Sequence, residues 1–336
     1  MSWIWEEKQK NRNHKRKTWR FVLISLRVLL LSIIIFFGYQ LIGTYNVLES
    51  LDKPKDTILI EEQENEALKP AIWEGTERVS ILLMGGDNRG LKKNDHAPKN
   101  DHARSDSMLV VTIDPTTKKA HLMSVLRDTY VEIEGHGKGR INTALALGGP
   151  TLAMKTIGDL LGLDIQYYVY TDFEGFKSLI DVIGGIDFYV EKNMDYTDKT
   201  DGNQYDIHLR KGQQMLDGDK ALQYVRFRHD AMSDFTRTER QRNLLLVIAE
   251  KLKSDWNLFR MKQILESVAP YIQTNLNIPD MLKLAKLGVE SHIAGSAQVP
   301  PMELIKGTSV KGASVLSVQD NEKLREFVQE LVGKDK

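Results

Sequence analysis

Residues Phe21–Ile42 form an apolar run of 22 residues, broken only by Arg27 and a few small or weakly polar positions. At helical rise such a run crosses roughly 30 Å of hydrocarbon, so it dictates how the rest of the chain is organised. Ahead of it stand Lys8, Lys10, Arg12, Lys15, Arg16, Lys17 and Arg20 against Glu6 and Glu7, and a flank of that sign stays cytoplasmic. Arg27 lies less than two turns from the cytoplasmic end and can snorkel to the headgroups, while Trp19 and Tyr39 or Tyr45 suit the two interfaces. A cleaved signal peptide would need a shorter apolar core and an Ala-x-Ala-like site, and Gly38-Tyr-Gln-Leu-Ile-Gly-Thr-Tyr45 offers neither. A buried core helix would need neither this length nor the basic flank.

The expected organisation is therefore a cytoplasmic basic tail over 1–20, a transmembrane anchor over 21–42, an extracellular stalk over 43–75 and one large extracellular domain over 76–336. The stalk turns acidic, with Glu49, Asp52, Asp56, Glu61, Glu62, Glu64 and Glu66, and carries Pro54 and Pro70. Lys plus Arg equals Asp plus Glu at 46 each, so there is no global basic field for nucleic acid, and any anion site must be local. Cysteine is absent, which removes disulfides, thiolate nucleophiles and cysteine-ligated zinc.

Beyond the stalk, hydrophobic period and turn residues alternate. Val79–Met84 reads as a strand ended by a Gly85-Gly86 loop, and Met108–Ile113 and Ala120–Val125 as an antiparallel hairpin turned by Asp114-Pro-Thr-Thr-Lys118. Pro150–Leu161 has the helical period with Gly162 past its end. Tyr167–Tyr170 is a strand, Phe173–Ile183 a helix stopped by Gly184-Gly185, and Ile186–Val190 a strand. Asp217 can cap the helix carrying Ala221–Val225, and Arg237–Leu252 is a long amphipathic helix. From Leu258 on the chain is expected to be mainly helical, with helices over Leu258–Ile272, Pro279–Leu287 and Gln319–Val332 and one short strand near Ser314–Ser317. Such alternation predicts an α/β class, a three-layer α/β/α fold with a central mixed sheet.

Arginines recur in this domain beside carboxylates or amides: Arg104-Ser-Asp106, Arg127-Asp128, Arg226-Phe-Arg228, and Arg237 with Gln241 one turn later. The guanidinium fork matches phosphate oxygens two at a time, so converging arginines suit a phosphate or pyrophosphate. Beyond a membrane anchor, that means a lipid-linked phosphate. Each motif also has a plainer meaning. Asp87-Asn-Arg-Gly90 is as readily a turn as a source of a metal ligand, Arg104-Ser-Asp106 can be an exposed ion pair, and Arg127-Asp128 a structural pair. Asp87 and Asp106 together would make a hard-oxygen site suited to Mg²⁺. Arg226 and Arg228, alternating about Phe227 in an extended segment, would both face one side. Arg240 and Arg242 read as a solvated basic face. The loop Leu91–Ala103 holds two Asn-Asp-His triplets, but its polarity and its lack of helical His spacing argue against zinc.

In order along the chain, Ile81-Leu-Leu-Met-Gly-Gly-Asp87, Arg104-Ser-Asp106, Ser124-Val-Leu-Arg-Asp-Thr-Tyr-Val131, Ile141-Asn142 ahead of Gly148-Gly149, Asp181-Val-Ile-Gly-Gly-Ile-Asp187, Arg226-Phe-Arg228, Asp234-Phe-Thr-Arg237 and Arg240-Gln241 resemble the LytR-CpsA-Psr family of membrane-anchored cell-wall phosphotransferases. There are departures: Ser-Val-Leu-Arg replaces the commoner Ser-Ile-Pro-Arg, and Asn142-Thr-Ala-Leu145 replaces an Asn-His-Ala-Tyr type sequence. The resemblance implies an α/β/α fold holding a polyprenyl pyrophosphate, its tail in an apolar tunnel expected between the sheet and the helices beginning at Thr151 and Phe173. It also implies that Asp87 and Asp106 bind Mg²⁺ (or Mn²⁺), that Asp87, Asp106 and Arg127 are catalytic, and that Arg104, Arg127, Arg226, Arg228, Arg237 and Gln241 surround the pyrophosphate. The implied reaction moves a glycopolymer of teichoic acid or capsular type from undecaprenyl pyrophosphate to a peptidoglycan sugar hydroxyl, with membrane lipid as a further partner, at a Gram-positive type surface. Hydrolysis of the same lipid pyrophosphate and non-catalytic sensing of lipid-linked intermediates are the alternatives.

Overall fold

The computed structural model describes residues 40, 42–51, 72–86, 105–197, 206–228 and 233–333. Its contacts divide the chain into two units, Met1–Val47 and Leu48–Lys336. The expected span over 21–42 lies outside the described residues except for 40 and 42, as do residues 52–71 of the stalk expected over 43–75. Residues 42–51 are helical. Among the described residues, no helix is long and apolar enough to cross a membrane.

The second unit begins its sheet with β1 (Val79–Gly86), β2 (Ser105–Asp114) and β3 (Lys119–Val125). The β2–β3 hairpin forms as expected, its turn tied by Asp114 Oδ1, which accepts from the amides of Thr116 and Thr117 at 2.8 and 3.1 Å. Gly85 and Gly86 belong to β1 rather than to a loop, pairing with Ser107 and Ser105 across an irregular step in register. Then come β4 (Thr129–Ile133), β5 (Gly137–Arg140) and α1 (Ala144–Leu161). α1 extends the helix expected from Pro150 by a turn joined across a kink at Gly148 and Gly149, and it ends where Gly162 turns left-handed at φ 68°. β6 (Tyr167–Asp172) runs into α2 (Phe173–Val182), whose first turn is capped by Asp172 accepting from the Gly175 amide at 2.8 Å.

Next follow β7 (Ile186–Val190), β8 (Met194–Tyr196), β9 (Ile207–Leu209), β10 (Gly212–Leu216), α3 (Gly218–Arg226) and α4 (Ser233–Leu252). Asp217 caps α3 by accepting from the Lys220 amide at 2.9 Å. The remainder is α5 (Asp255–Phe259), α6 (Met261–Val268), β11 (Ile272–Thr274), α7 (Ile278–Glu290), β12 (His292–Val299), β13 (Ile305–Val310), β14 (Ala313–Val318) and α8 (Asn321–Val332). The expectation of a mainly helical C-terminal part is corrected here. Four strands lie in it, and the Leu258–Ile272 helix is broken at Arg260, passing through α5, α6 and a 3-10 turn into β11. His-Ile-Ala-Gly-Ser-Ala-Gln-Val in β12 has too few large apolar residues to show alternation, and pairing with β3 makes it a strand.

The main sheet has the order β11-β6-β1-β2-β3-β12, with β1–β6 and β3–β12 parallel and the other pairs antiparallel. Period-two alternation sorts its side chains. Leu82, Met84, Met108, Val110, Met123 and Val125 pack with Ile157 and Leu161 of α1 and Leu324 and Val328 of α8. Val79, Ile113, Ala120 and Tyr167 pack on the opposite face with Trp73 and with Leu284 and Leu287 of α7. Helices thus cover both faces, an α/β fold. A third cluster joins α2, α3, α4 and α6 to β7, β9 and β10. Fully buried side chains such as Leu82 and Ile157 each contribute about 1.5–3 kcal/mol.

Asp280 of α7 is wholly buried, and it ties the chain ahead of β1 to this core. Its Oδ2 accepts from the Tyr167 hydroxyl at 2.6 Å, Asn277 Nδ2 at 2.8 Å and the Trp73 amide at 3.4 Å. Burial, then the Asp280 carboxylate, pushes the Tyr167 hydroxyl well above its ordinary range. Replacing Asp280 with Ala is expected to cost about 3 kcal/mol or more in chemical denaturation, because the donors are left buried and unpaired. Asp280→Asn, which keeps an acceptor, is expected to lose less.

Candidate functional site

The arginine motifs meet at the end of the sheet where β1 finishes, β2 begins and β3 has just ended. Gly86 closes β1 there, and a Cβ on it would run into the hydroxyl and ring of Tyr170. Asp106 lies in β2 itself rather than ahead of it. Its Oδ1 accepts from Arg127 Nη1 at 2.7 Å and lies 3.8 Å from Arg228 Nη2. Its backbone carbonyl accepts from Arg237 Nη2 at 3.1 Å.

Arg237 and Asp234 come from the first turns of α4. Arg237 Nη2 is 2.7 Å from Asp234 Oδ1, close but not aligned as a hydrogen bond. Arg127 Nε sits 3.6 Å from Asp234 Oδ1 and 3.6 Å from Asp128 Oδ2, and Asp128 in turn accepts from Arg140 Nη1 at 3.1 Å. One turn along α4, Gln241 accepts from Ser107 Oγ at 3.0 Å and donates to the Val225 carbonyl at 3.4 Å. Three chain segments distant in sequence thus surround one spot with guanidiniums and carboxylates.

The spot is short of partners. Arg127 Nε, Arg237 Nε, both carboxylate oxygens of Asp234 and the Asn142 Oδ1 are buried with no hydrogen bond, although such groups are normally satisfied. Asn142 is held there by its amide, which donates to the Arg127 carbonyl at 3.3 Å. Burial raises the Asp234 carboxyl above its ordinary 3.8, against the pull of Arg127 and Arg228. Burial, and then the charge of Arg127, lowers Arg228. Cations crowded in a poorly solvated place, with unused donors, are what a multiply charged anion would satisfy.

Of the expected residues, Asp106, Arg127, Arg228, Arg237 and Gln241 come together. Arg226 is corrected: it is the last residue of α3, not part of an extended segment, and its guanidinium stacks over the Phe173 ring at 5.4 Å. Asp87, Arg104 and the loop Leu91–Ala103 lie outside the described residues. Arg240 is also corrected. Instead of facing solvent it is 3% exposed, donating to Glu191 Oε1 at 2.6 Å and to the Phe227 carbonyl at 3.2 Å. Arg242 is half-buried rather than solvated, and burial lowers it. Asp128, Arg140, Asn142 and Asp234 are not among the site residues expected from the sequence, although Asp128, Asn142 and Asp234 sit inside its motifs.

For a divalent ion the donors are few but of the right kind. Among the described residues the contacts of the Asp106 carboxylate fall on Oδ1, which leaves Oδ2 for another ligand. Among the described residues no three His, Cys, Asp or Glu side chains form a cage. Mg²⁺ needs none, because it keeps waters and commonly takes only one or two carboxylates along with phosphate oxygens. Asp106 fits that role.

The sequence pattern of the LytR_cpsA_psr family matches residues 42–331. A Bacillus mycoides protein, polyisoprenyl-teichoic acid--peptidoglycan teichoic acid transferase TagU, is 34% identical over 258 residues, covering 74% of this chain and 79% of its own. TagV of Bacillus subtilis, which carries the same transferase name, is 30% identical over 323 residues, covering 94% of this chain and 79% of its own. The crystal structure of TagV superposes with a TM-score of 0.62 at 29% identity, over 76% of this chain and 98% of that one. The regulatory protein MsrR of Staphylococcus aureus is 34% identical over 66% of this chain and 63% of its own. With the family pattern spanning nearly the whole described unit, the chain belongs to the LytR-CpsA-Psr family.

Proposed function

We infer that the protein is a membrane-anchored phosphotransferase. It moves a teichoic acid or capsular type glycopolymer from undecaprenyl pyrophosphate onto a peptidoglycan sugar hydroxyl at the extracellular face of the cell membrane. The observation that carries this reading is the gathering of Arg127, Arg228 and Arg237 around Asp106 and Asp234 with buried donors left unpaired. The names of TagU and TagV, with polyisoprenyl-teichoic acid as donor and peptidoglycan as acceptor, support it. So does the apolar run over 21–42 with its basic flank.

In this reading Arg127, Arg228 and Arg237 grip the pyrophosphate oxygens, with Arg104 and Arg226 as further contacts and Gln241 fixing the edge of the pocket. The acceptor hydroxyl oxygen bonds to the phosphorus that carries the glycopolymer. The bridging P–O bond breaks, and its electron pair departs with polyprenyl phosphate. Asp106 or Asp87 takes the acceptor proton. The arginines neutralise charge spread over the non-bridging oxygens as the bond to the leaving group loosens, where fixed donors in a dry site act most strongly. Mg²⁺ or Mn²⁺ held by Asp106 and Asp87 would supply further neutralisation and align the phosphates.

Incubating the full chain with a lipid-linked teichoic acid donor, Mg²⁺ and peptidoglycan tests the reading. Attached polymer supports it; free phosphorylated glycan indicates a hydrolase, and binding without turnover a sensor. Arg127→Ala is expected to lower the transfer rate about 10²-fold or more. Arg226→Ala with an unchanged rate would reduce Arg226 to packing on Phe173. Chelation by EDTA is expected to stop transfer, with recovery on adding Mg²⁺ or Mn²⁺.

Asp234 gives a pH signature without substrate. Its folded pKa lies above its unfolded value, so its contribution to stability is complete below the unfolded pKa and is lost as pH rises through the folded one. Denaturation midpoints of wild type relative to Asp234→Asn are expected to fall as pH rises from about 3.8 through the raised value, then level off. A difference independent of pH would show that burial does not dominate at this carboxyl.

A further inference from the structure

At the opposite end of the main sheet from the arginines, aromatic and basic side chains share one exposed rim. α4 links the two ends, with Arg237 near its start; at 20 residues it spans about 30 Å. Beyond its last turn Lys253 Nζ donates to the Ser291 carbonyl at 2.6 Å, and the His292 amide donates to the Lys118 carbonyl at 3.0 Å. These contacts put the end of α4 beside the start of β12 and the start of β3. β1 also starts at this end, since Val79 pairs with Ile113 and Ile113 with Ala120. Asn257 Nδ2 donates to the Lys251 carbonyl at 2.8 Å and folds α5 back against α4.

On α5, Trp256 is 67% and Phe259 49% exposed, and the Arg260 guanidinium lies 5.9 Å from the Trp256 ring. At the same end half-buried Lys118 and exposed Lys286 hold Glu290 between them at 2.8 and 3.9 Å, and Lys253 lies 3.6 Å from exposed Glu250, so the acids of this rim are paired with its lysines. Exposed Trp and Phe flanked by Lys and Arg are the chemistry of a bilayer interface: the rings suit the headgroup layer, and the cations suit anionic lipid. The direction of the chain agrees. It enters the core from the N-terminal side at Trp73, just ahead of β1 at this same end, and the apolar run over 21–42 precedes it.

We propose that this rim docks on the anionic surface of the lipid bilayer, with Trp256 and Phe259 set among the headgroups. The docked domain holds the guanidinium cluster about 30 Å from the lipid surface, at the far end of α4. The inference rests on the membrane localisation given above and is independent of the transfer chemistry.

The absence of native cysteine makes a clean test available. Full-length Phe259→Cys, labelled with an environment-sensitive fluorophore, is reconstituted into phosphatidylcholine vesicles with and without phosphatidylglycerol. A Thr308→Cys label on exposed β13 serves as reference, and flotation reports association with the vesicles. The expected result is quenching by headgroup-nitroxide lipid several-fold stronger at 259 than at 308. The difference should shrink without phosphatidylglycerol, and also when Trp256→Ser is added. A floated protein whose label at 259 stays as accessible to water as that at 308 overturns the docking. Failure to float overturns the membrane localisation and the docking with it.

Discussion

Arg127 holds the candidate site together. Its guanidinium is shared among Asp106 from β2, Asp128 beside it and Asp234 from α4, while Arg228 approaches the same oxygen of Asp106 and Arg237 the same oxygen of Asp234. Arg237 and Asp234 are the most buried of these charges, so each depends on the other, while Arg127, Arg228 and Asp106 keep part of their contact with solvent. The segments that supply them lie far apart in sequence. The site therefore exists only once the sheet has formed and α4 has come down over its end.

Arg240 shows how that convergence is fixed. Buried on the next turn of α4 from Arg237, it pairs with Glu191 just after β7, grips the Phe227 carbonyl, and lies 5.3 Å over the Phe227 ring. Phe227 is the residue next to Arg228. Arg240 thus holds the peptide that delivers Arg228, so a guanidinium with no place in the cluster fixes one that has.

Legibility in the sequence followed the range of the interaction that decides each feature. The β2–β3 turn, the Asp217 cap and the glycine stop after α2 depend on neighbours a few residues away, and they were readable from Pro115, Asp217 and Gly184-Gly185. Arg127, Arg228 and Arg237 were legible as residues able to converge, and the structure does gather them on Asp106 and Asp234. Partners distant in sequence were not. Nothing near Arg240 announces Glu191, and the alternation assumed for Arg226-Phe-Arg228 failed because the α3 helix runs on through Arg226. β12 and β13, rich in Ser, Gly and Thr, become strands only through the neighbours they pair with.

The fastening of Trp73 has a mechanical meaning. Its amide is held by Asp280, its indole donates to the Glu77 carbonyl at 3.0 Å, and its own carbonyl is gripped by Lys283. Tension on the N-terminal segment therefore arrives at a knot rather than at the free end of β1. It is passed into α7 and Tyr167, so the bonds of Asp280 and Lys283 to Trp73 must yield before the first residue of β1 is loaded.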